Sequence, residues 1–383
     1  MRPGWCFHSA GNSGRAIALA LLLVFRPLSG HPSDNFDDLA RRAEDAIGKQ
    51  PKEAASLYRQ ALVLRPRWSE GWLYLGATLL QLGLYTESRD ALRKGADLDP
   101  SKGTAWAYLG LAEYKVGDYR QAIAHIVKGE SLGLPDKPDF VASVRYHAAL
   151  TYLRLSEPAG AINQLRPLVR AGNQSVEIIQ ALGISALSLD TLPERLSPDE
   201  RVRVELAGRA ASAFLGEHAD QAAPLFEQLT AQFPLEPGVH YMYGVFLIDR
   251  DAEAAAEQFR KELQIVPGHV LARVQLALLL MQKGDFENAE KFAREAMRLQ
   301  PANSLCRVTL GRALLGKGST KEAIAELEQG ERMAPNAART HYYLQQAYQR
   351  AGRVADAQRE KLTFNKLRAE QEPVTITNQE NTK

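Results

Sequence analysis

The sequence predicts an all-α fold, a solenoid of stacked antiparallel helix pairs, and three observations point to it. Residues 72 to 95, WLYLGATLLQLGLYTESRDALRKG, and residues 106 to 129, WAYLGLAEYKVGDYRQAIAHIVKG, share one skeleton with different surface residues. Trp72 and Trp106, Gly76 and Gly110, Gly83 and Gly117, Tyr85 and Tyr119, and Gly95 and Gly129 each stand 34 positions apart. Prolines close successive units at Pro66, Pro100, Pro135, Pro234, Pro267, Pro301 and Pro335, spaced by 34 and 35 in the first half and by 33, 34 and 34 in the second. Only the stretch between Pro135 and Pro234 breaks the beat.

At 383 residues the chain has room for two ordinary domains or one long array, and the period favours the array. Its 47 Lys+Arg against 45 Asp+Glu are nearly balanced, so nothing recommends nucleic acid as the main partner.

Taken in order, the first element is Ala16 to Phe25, AIALALLLVF, an apolar run preceded by Arg2 and Arg15 and followed by Pro27, Ser29 and Gly30. It reads as a secretory signal over residues 1–30 with cleavage near Gly30. The run falls short of the roughly 20 apolar residues that cross a bilayer, and it lacks the polar face of a helix packed on an array. Cys6 precedes the run, so it is not a lipid-bearing cysteine following a signal, and the mature chain would keep Cys306 alone.

Within each repeat, Trp72, Leu75, Gly76 and Leu79 fall at i, i+3, i+4 and i+7 and make one apolar helical stripe. A Gly83-Leu84-Tyr85 turn follows, and Ser88, Leu92 and Gly95 restore the helical spacing. Small residues at Gly76 and Ser88 predict a close crossing of the two helices. Pro100 ends the second helix, because proline lacks an amide hydrogen and clashes with the preceding turn.

These residues resemble the tetratricopeptide repeat (TPR) family: W-x2-L-G, a glycine turn, a small residue, a large apolar one and a closing proline. The resemblance is strongest over Trp72 to Pro100, Trp106 to Pro135, Leu276 to Pro301 and Leu310 to Pro335. Weaker copies run from Phe36 to Pro66, Arg145 to Val169, Leu206 to Pro234, His240 to Pro267 and Thr340 to Leu367; the copy from Arg145 has no glycine in its turn. The family implies a right-handed superhelix whose first helices face a concave groove.

Val176 to Leu189 reads as a first helix without a recognisable partner, followed by Asp190 to Glu200, DTLPERLSPDE. Ser197-Pro198-Asp199-Glu200 is a helix-start signal. The predicted organisation is an N-terminal array over 31–171, a partial repeat and insertion over 172–203, a C-terminal array with a capping helix over 204–369, and a polar disordered tail over 370–383. Asp190 to Glu200 marks either a junction between two superhelices or a decorated loop on a continuous one.

No catalytic motif is present. The histidines show no H-x-x-H or H-E-x-x-H spacing, and there is no G-x-S-x-G or phosphate-cradling glycine loop. No cofactor and no metal are expected. The resemblance implies that positions 2, 5, 9 and 12 of each repeat line the groove. Among them the candidate partner-binding residues are Leu73, Leu111, Tyr114, Val274, Leu278, Met281, Val308, Arg312, Leu315, Arg339, Tyr342, Gln346 and Gln349, with Arg350 beside them. They describe a largely apolar groove with a cationic and aromatic end, suited to an amphipathic helix or an extended apolar peptide. The competing reading places the aliphatic members in the core.

The sequence therefore predicts a non-catalytic scaffold for a protein or peptide partner, exported to a bacterial periplasm, with no nucleic acid and no membrane span in the mature chain. The alternatives are a subunit presenting substrate to a separate envelope enzyme, and a chain secreted or anchored by its uncleaved N-terminal segment.

Overall fold

A computed structural model describes residues 34–371, so the predicted signal and all but the first two residues of the predicted tail lie outside the described residues. The described chain is helical throughout, with nineteen α-helices and no strand. They are α1 (Asp34–Ala46), α2 (Pro51–Leu64), α3 (Ser69–Gln81), α4 (Tyr85–Leu98), α5 (Gly103–Val116), α6 (Tyr119–Leu132), α7 (Pro138–Arg154), α8 (Pro158–Arg170), α9 (Val176–Ala186) and α10 (Pro198–Leu215). There follow α11 (Ala219–Gln232), α12 (Val239–Leu247), α13 (Ala252–Ile265), α14 (Val270–Gln282), α15 (Phe286–Leu299), α16 (Ser304–Lys317), α17 (Thr320–Met333), α18 (Ala338–Arg350) and α19 (Val354–Gln371).

The chain divides into two compact units, one ending at Leu229 and the other beginning at Thr230. The segment 172–203, read from the sequence as a partial repeat and insertion, lies inside the first unit.

Each hairpin forms for the reason its residues suggest. At the crossing of α3 and α4, a Cβ on Gly76 would come within 2.4 Å of Leu92 Cγ, and the Ser88 hydroxyl donates to the Gly76 carbonyl at 2.7 Å. A larger residue at either place would hold the helices apart. Gly83, Gly117, Gly284, Gly318 and Gly352 end first helices with φ between 71° and 93°, the left-handed region where a Cβ is costly. The turn after α7 has no glycine, and Ser156 adopts φ 58° in its place.

Successive pairs are fastened at one recurring position, six residues after the closing proline. Trp72 and Trp106 donate their indole N–H to the carbonyls of Pro66 and Pro100 at 2.9 Å. His240 and His341 donate Nε2–H to Pro234 at 3.0 Å and Pro335 at 2.8 Å. Arginine occupies the same position at Arg273 and Arg307 and pairs instead with Glu295 at 3.1 Å and Glu326 at 2.9 Å on the second helix. The second helix supplies a matching partner elsewhere too: Lys128 lies 3.3 Å over the Trp106 ring, and Glu360 accepts from His341 at 2.7 Å.

One sequence expectation is corrected. α9 does have a partner, α10, reached through the long loop 187–197, which takes in Asp190 to Ser197. Their backbones cross so closely that a Cβ on Gly183 would stand 1.9 Å from the Val204 carbonyl oxygen, and one on Gly208 1.9 Å from that of Ile179. A connection this long conceals the pairing from a reader expecting a three-residue turn. The helix start read at Ser197 is present: its hydroxyl accepts from Glu200 N at 3.3 Å, and the Glu200 carboxylate accepts from Ser197 N at 2.9 Å.

Candidate partner-binding face

First helices are apolar on two sides where they pack against their own partner and also against the second helix of the pair before, as α5 does on α4 and α16 on α15. That doubled burial decides which candidate residues reach the surface. Leu73, Leu111, Val274, Val308 and Leu315 are 6% exposed or less and belong to the hydrophobic core, which removes them from any binding face. Tyr114, Leu278, Met281, Arg312 and Gln346 are half-buried, whereas Arg339, Tyr342, Gln349 and Arg350 are exposed. Arg350 is already engaged, donating to the Leu315 carbonyl near the end of α16.

In the second unit, α16, α18 and α19 bring a cationic and aromatic cluster together. The Arg312 guanidinium lies 4.4 Å over the Tyr343 ring, Tyr343 meets Tyr342 edge-on at 5.2 Å, and Tyr342 meets Phe364 at 5.5 Å. Burial lowers the Arg312 guanidinium pKa, the Tyr343 hydroxyl opposes the shift, and the nearby positive charge of Arg339 adds to it. Among the described residues neither Arg312 nor Arg339 pairs with a carboxylate, whereas Arg273, Arg307, Arg353 and Arg359 all do. The sequence pattern marks Arg312, Arg339 and Tyr342 by repeat position, but Phe364 comes from the capping helix, which no groove position covers. Tyr348 stands apart from this surface: it is buried and donates to Glu328 at 2.8 Å.

The first unit holds similar ingredients. Tyr114 packs on Tyr119 at 5.8 Å and on His147 at 5.6 Å, and Lys115 Nζ lies 5.4 Å from the Tyr114 ring. Tyr146 meets His147 at 5.7 Å, and Arg154 lies 5.7 Å over Tyr119. Here a carboxylate is supplied from within: Glu194, in the short 3-10 turn Pro193–Arg195, stands 3.7 Å from Arg154. Its charge also acts on Tyr114, whose hydroxyl is pushed up to about 12 mainly by burial, and partly opposes the burial that pushes the Lys115 ammonium pKa down. Leu192, Pro193 and Leu196 are buried and hold the turn down.

One side-chain group has the donor set for a metal: Glu331, His341 and Glu360 bring ligand atoms within 4.8 Å of one another from α17, α18 and α19. Both ring nitrogens of His341 are committed, to Glu360 and to the Pro335 carbonyl, and the other Glu360 oxygen accepts from Arg359 at 3.1 Å. The group therefore acts as an internal fastener of the last helix pair. Among the described residues no helix is long and apolar enough to cross a membrane.

Comparison with known families gives two matches. Residues 42–103 match the tetratricopeptide repeat, and residues 204–363 match the middle TPR-like domain of cilia and flagella-associated protein 70. With the hairpin geometry these define the class: the chain is a TPR protein, built as an all-α solenoid. No curated protein matches it. Solved structures with a similar course include MamA residues 41 to the end from Desulfovibrio magneticus RS-1, at 17% identity and TM-score 0.41, covering 45% of this chain and 97% of that one. The APC/C hetero-tetramer Cut9-Hcn1 is similar at 14% identity and TM-score 0.39, covering 88% of each chain. At these scores none of the neighbours' partners can be carried across.

Proposed function

We propose that the protein is a non-catalytic scaffold that binds a protein partner, as a peptide or helix, on the first-helix face of its second unit. The observation that carries this reading is the Arg312–Tyr343–Tyr342–Phe364 cluster, with Arg339 beside it. Aromatic and arginine side chains are enriched where proteins bind one another, and exposed aromatic rings gain from being covered. The TPR class supports the reading, since stacked hairpins build extended surfaces. The apolar run at Ala16 to Phe25 supports a site of action in a bacterial envelope.

The test is a crosslinking pull-down from an envelope fraction, run with the natural chain beside a variant carrying Arg312→Glu and Tyr342→Ala, both checked by circular dichroism. The reading expects partners that the variant loses while keeping its helicity. Identical partners for both chains would remove this face from the account.

A further inference from the structure

The loop 187–197 between α9 and α10 is longer than a hairpin turn requires, since Gly117 and Asp118 alone suffice between α5 and α6. Its extra residues do not stand out in water. Leu192 and Leu196 are buried, with Pro193 buried between them, and the 3-10 turn Pro193–Arg195 rests on α9. Both ends of the loop are fixed as well: Leu189 N–H donates to the Ile184 carbonyl at 3.0 Å, and Arg201 donates to that of Leu196 at 3.4 Å. A solvated insertion would not tuck its apolar side chains away.

Held in this way, the turn carries Glu194 across to Arg154 at the end of α7, 3.7 Å away. Arg154 is one end of a continuous cluster. Its guanidinium lies 5.7 Å over Tyr119, which meets Tyr114, which meets His147 and through it Tyr146. The Arg154 side chain is 24% exposed, and a guanidinium drawn out of water beside rings calls for a counter-charge, which Glu194 supplies. Burial raises the hydroxyl pKa of Tyr114 and of Tyr146, and the Glu194 charge adds to both.

We infer that the loop 187–197 is a built-in cover of the first unit: it occupies the cationic and aromatic cluster of α5, α6 and α7 with a carboxylate of the chain's own, and closes that cluster to any other ligand until it is displaced. This goes beyond the scaffold reading, which concerns the second unit, and stands or falls separately from it. The two parts of the hold differ in strength. An ion pair as open as Glu194–Arg154 shifts an equilibrium by about fivefold at most, whereas a buried leucine shifts it by about tenfold or more. The leucines keep the cover down, and Glu194 neutralises the cation beneath it.

Leu192→Ser with Leu196→Ser loosens the cover and leaves every residue of the cluster in place. The natural full chain and this variant are compared by circular dichroism, by the rate at which trypsin cuts after the exposed Arg195, and by titration with 1-anilinonaphthalene-8-sulfonate, an anionic aromatic dye suited to a guanidinium among tyrosines. The inference expects faster cutting, by about tenfold or more from the lost burial, in a variant that stays helical. It also expects tighter dye binding, by about tenfold from the uncovered guanidinium, and no such gain once Arg154→Gln is added. Arg154→Gln alone should leave the dye binding of the natural chain unchanged, because the site is covered. If the double variant loses helicity, Glu194→Arg carries the same comparison, since it sets like charges together at a position 55% exposed.

Fast cutting without a gain in dye binding, or a gain that persists without Arg154, would overturn the inference, because the loop would then cover something other than this cluster. Cutting no faster than in the natural chain would overturn it as well, since the leucines would not be what holds the loop. So would dye binding to the natural chain that already falls with Arg154→Gln, which would mean that the cluster is open as built.

Discussion

Trp106 donates its indole Nε1–H to the carbonyl oxygen of Pro100 at 2.9 Å, tying the first helix of one pair to the loop that closes the pair before it. Lys128 over the same ring adds a cation–π contact at 3.3 Å. Trp106→Phe removes the donor and keeps an aromatic ring there. It should cost about 1 kcal/mol from the lost hydrogen bond, with more from the smaller buried ring. Urea unfolding followed by helicity checks this, and an unchanged midpoint would show that the bond contributes nothing.

Gly183 and Gly208 let the backbones of α9 and α10 touch. Because the obstacle to a Cβ at either place is a carbonyl oxygen 1.9 Å away, no side-chain rotation relieves it. Gly183→Ala should therefore destabilise by about 3 kcal/mol or more, the upper range for overpacking. Gly268→Ala, with open space around it, should be close to neutral. Thermal melts of the two variants compare them directly.

Tyr58 is fully buried, and its hydroxyl has no hydrogen-bond partner among the described residues. Tyr58→Phe should leave stability unchanged or raise it by about 1 kcal/mol, since the hydroxyl's desolvation is then removed. Nearby Glu44 has its pKa raised to about 7 by burial and by Asp45. A carboxyl raised on folding holds its proton more tightly in the folded state, so stability falls as pH rises from about 4.5 towards 7. Glu44→Gln should flatten that fall, measured by chemical denaturation across this range.

His147 titrates in the opposite sense. Burial, with Lys115 assisting, pushes its pKa down to about 4 from 6.5, although its Nδ1–H donates to the Ser143 carbonyl at 2.8 Å. The folded state then binds fewer protons than the unfolded chain. Stability is intact above about 6.5 and declines as pH drops towards 4. Trp68, Trp72 and Trp106 all lie in the first unit, so tryptophan fluorescence reports its acid unfolding, and His147→Gln should shift the onset to lower pH.

The hairpins were legible because their signals are local: a stripe at i, i+3, i+4 and i+7, a turn glycine and a closing proline all act within one unit. The α9–α10 pair was not, because the link between them exceeds the usual turn and the decisive glycines face backbone on another helix. For the binding face, repeat position named Arg312, Arg339 and Tyr342. It could not separate Leu73 or Val308 from them, because burial of a first helix depends on the neighbouring pair as well as its own. Phe364 and Glu194 were missed for the same reason, being supplied by a capping helix and a loop with no fixed place in the repeat.

The central claim is that the second unit's aromatic and cationic face meets a protein partner. Photo-crosslinking residues placed singly at Tyr342 and at Val354, which is 76% exposed on the capping helix, test it in extracts of the cells that make the protein. The account predicts a discrete protein adduct from Tyr342 and none from Val354. The same adducts from both positions, or none from Tyr342 in a chain that stays helical, would contradict it.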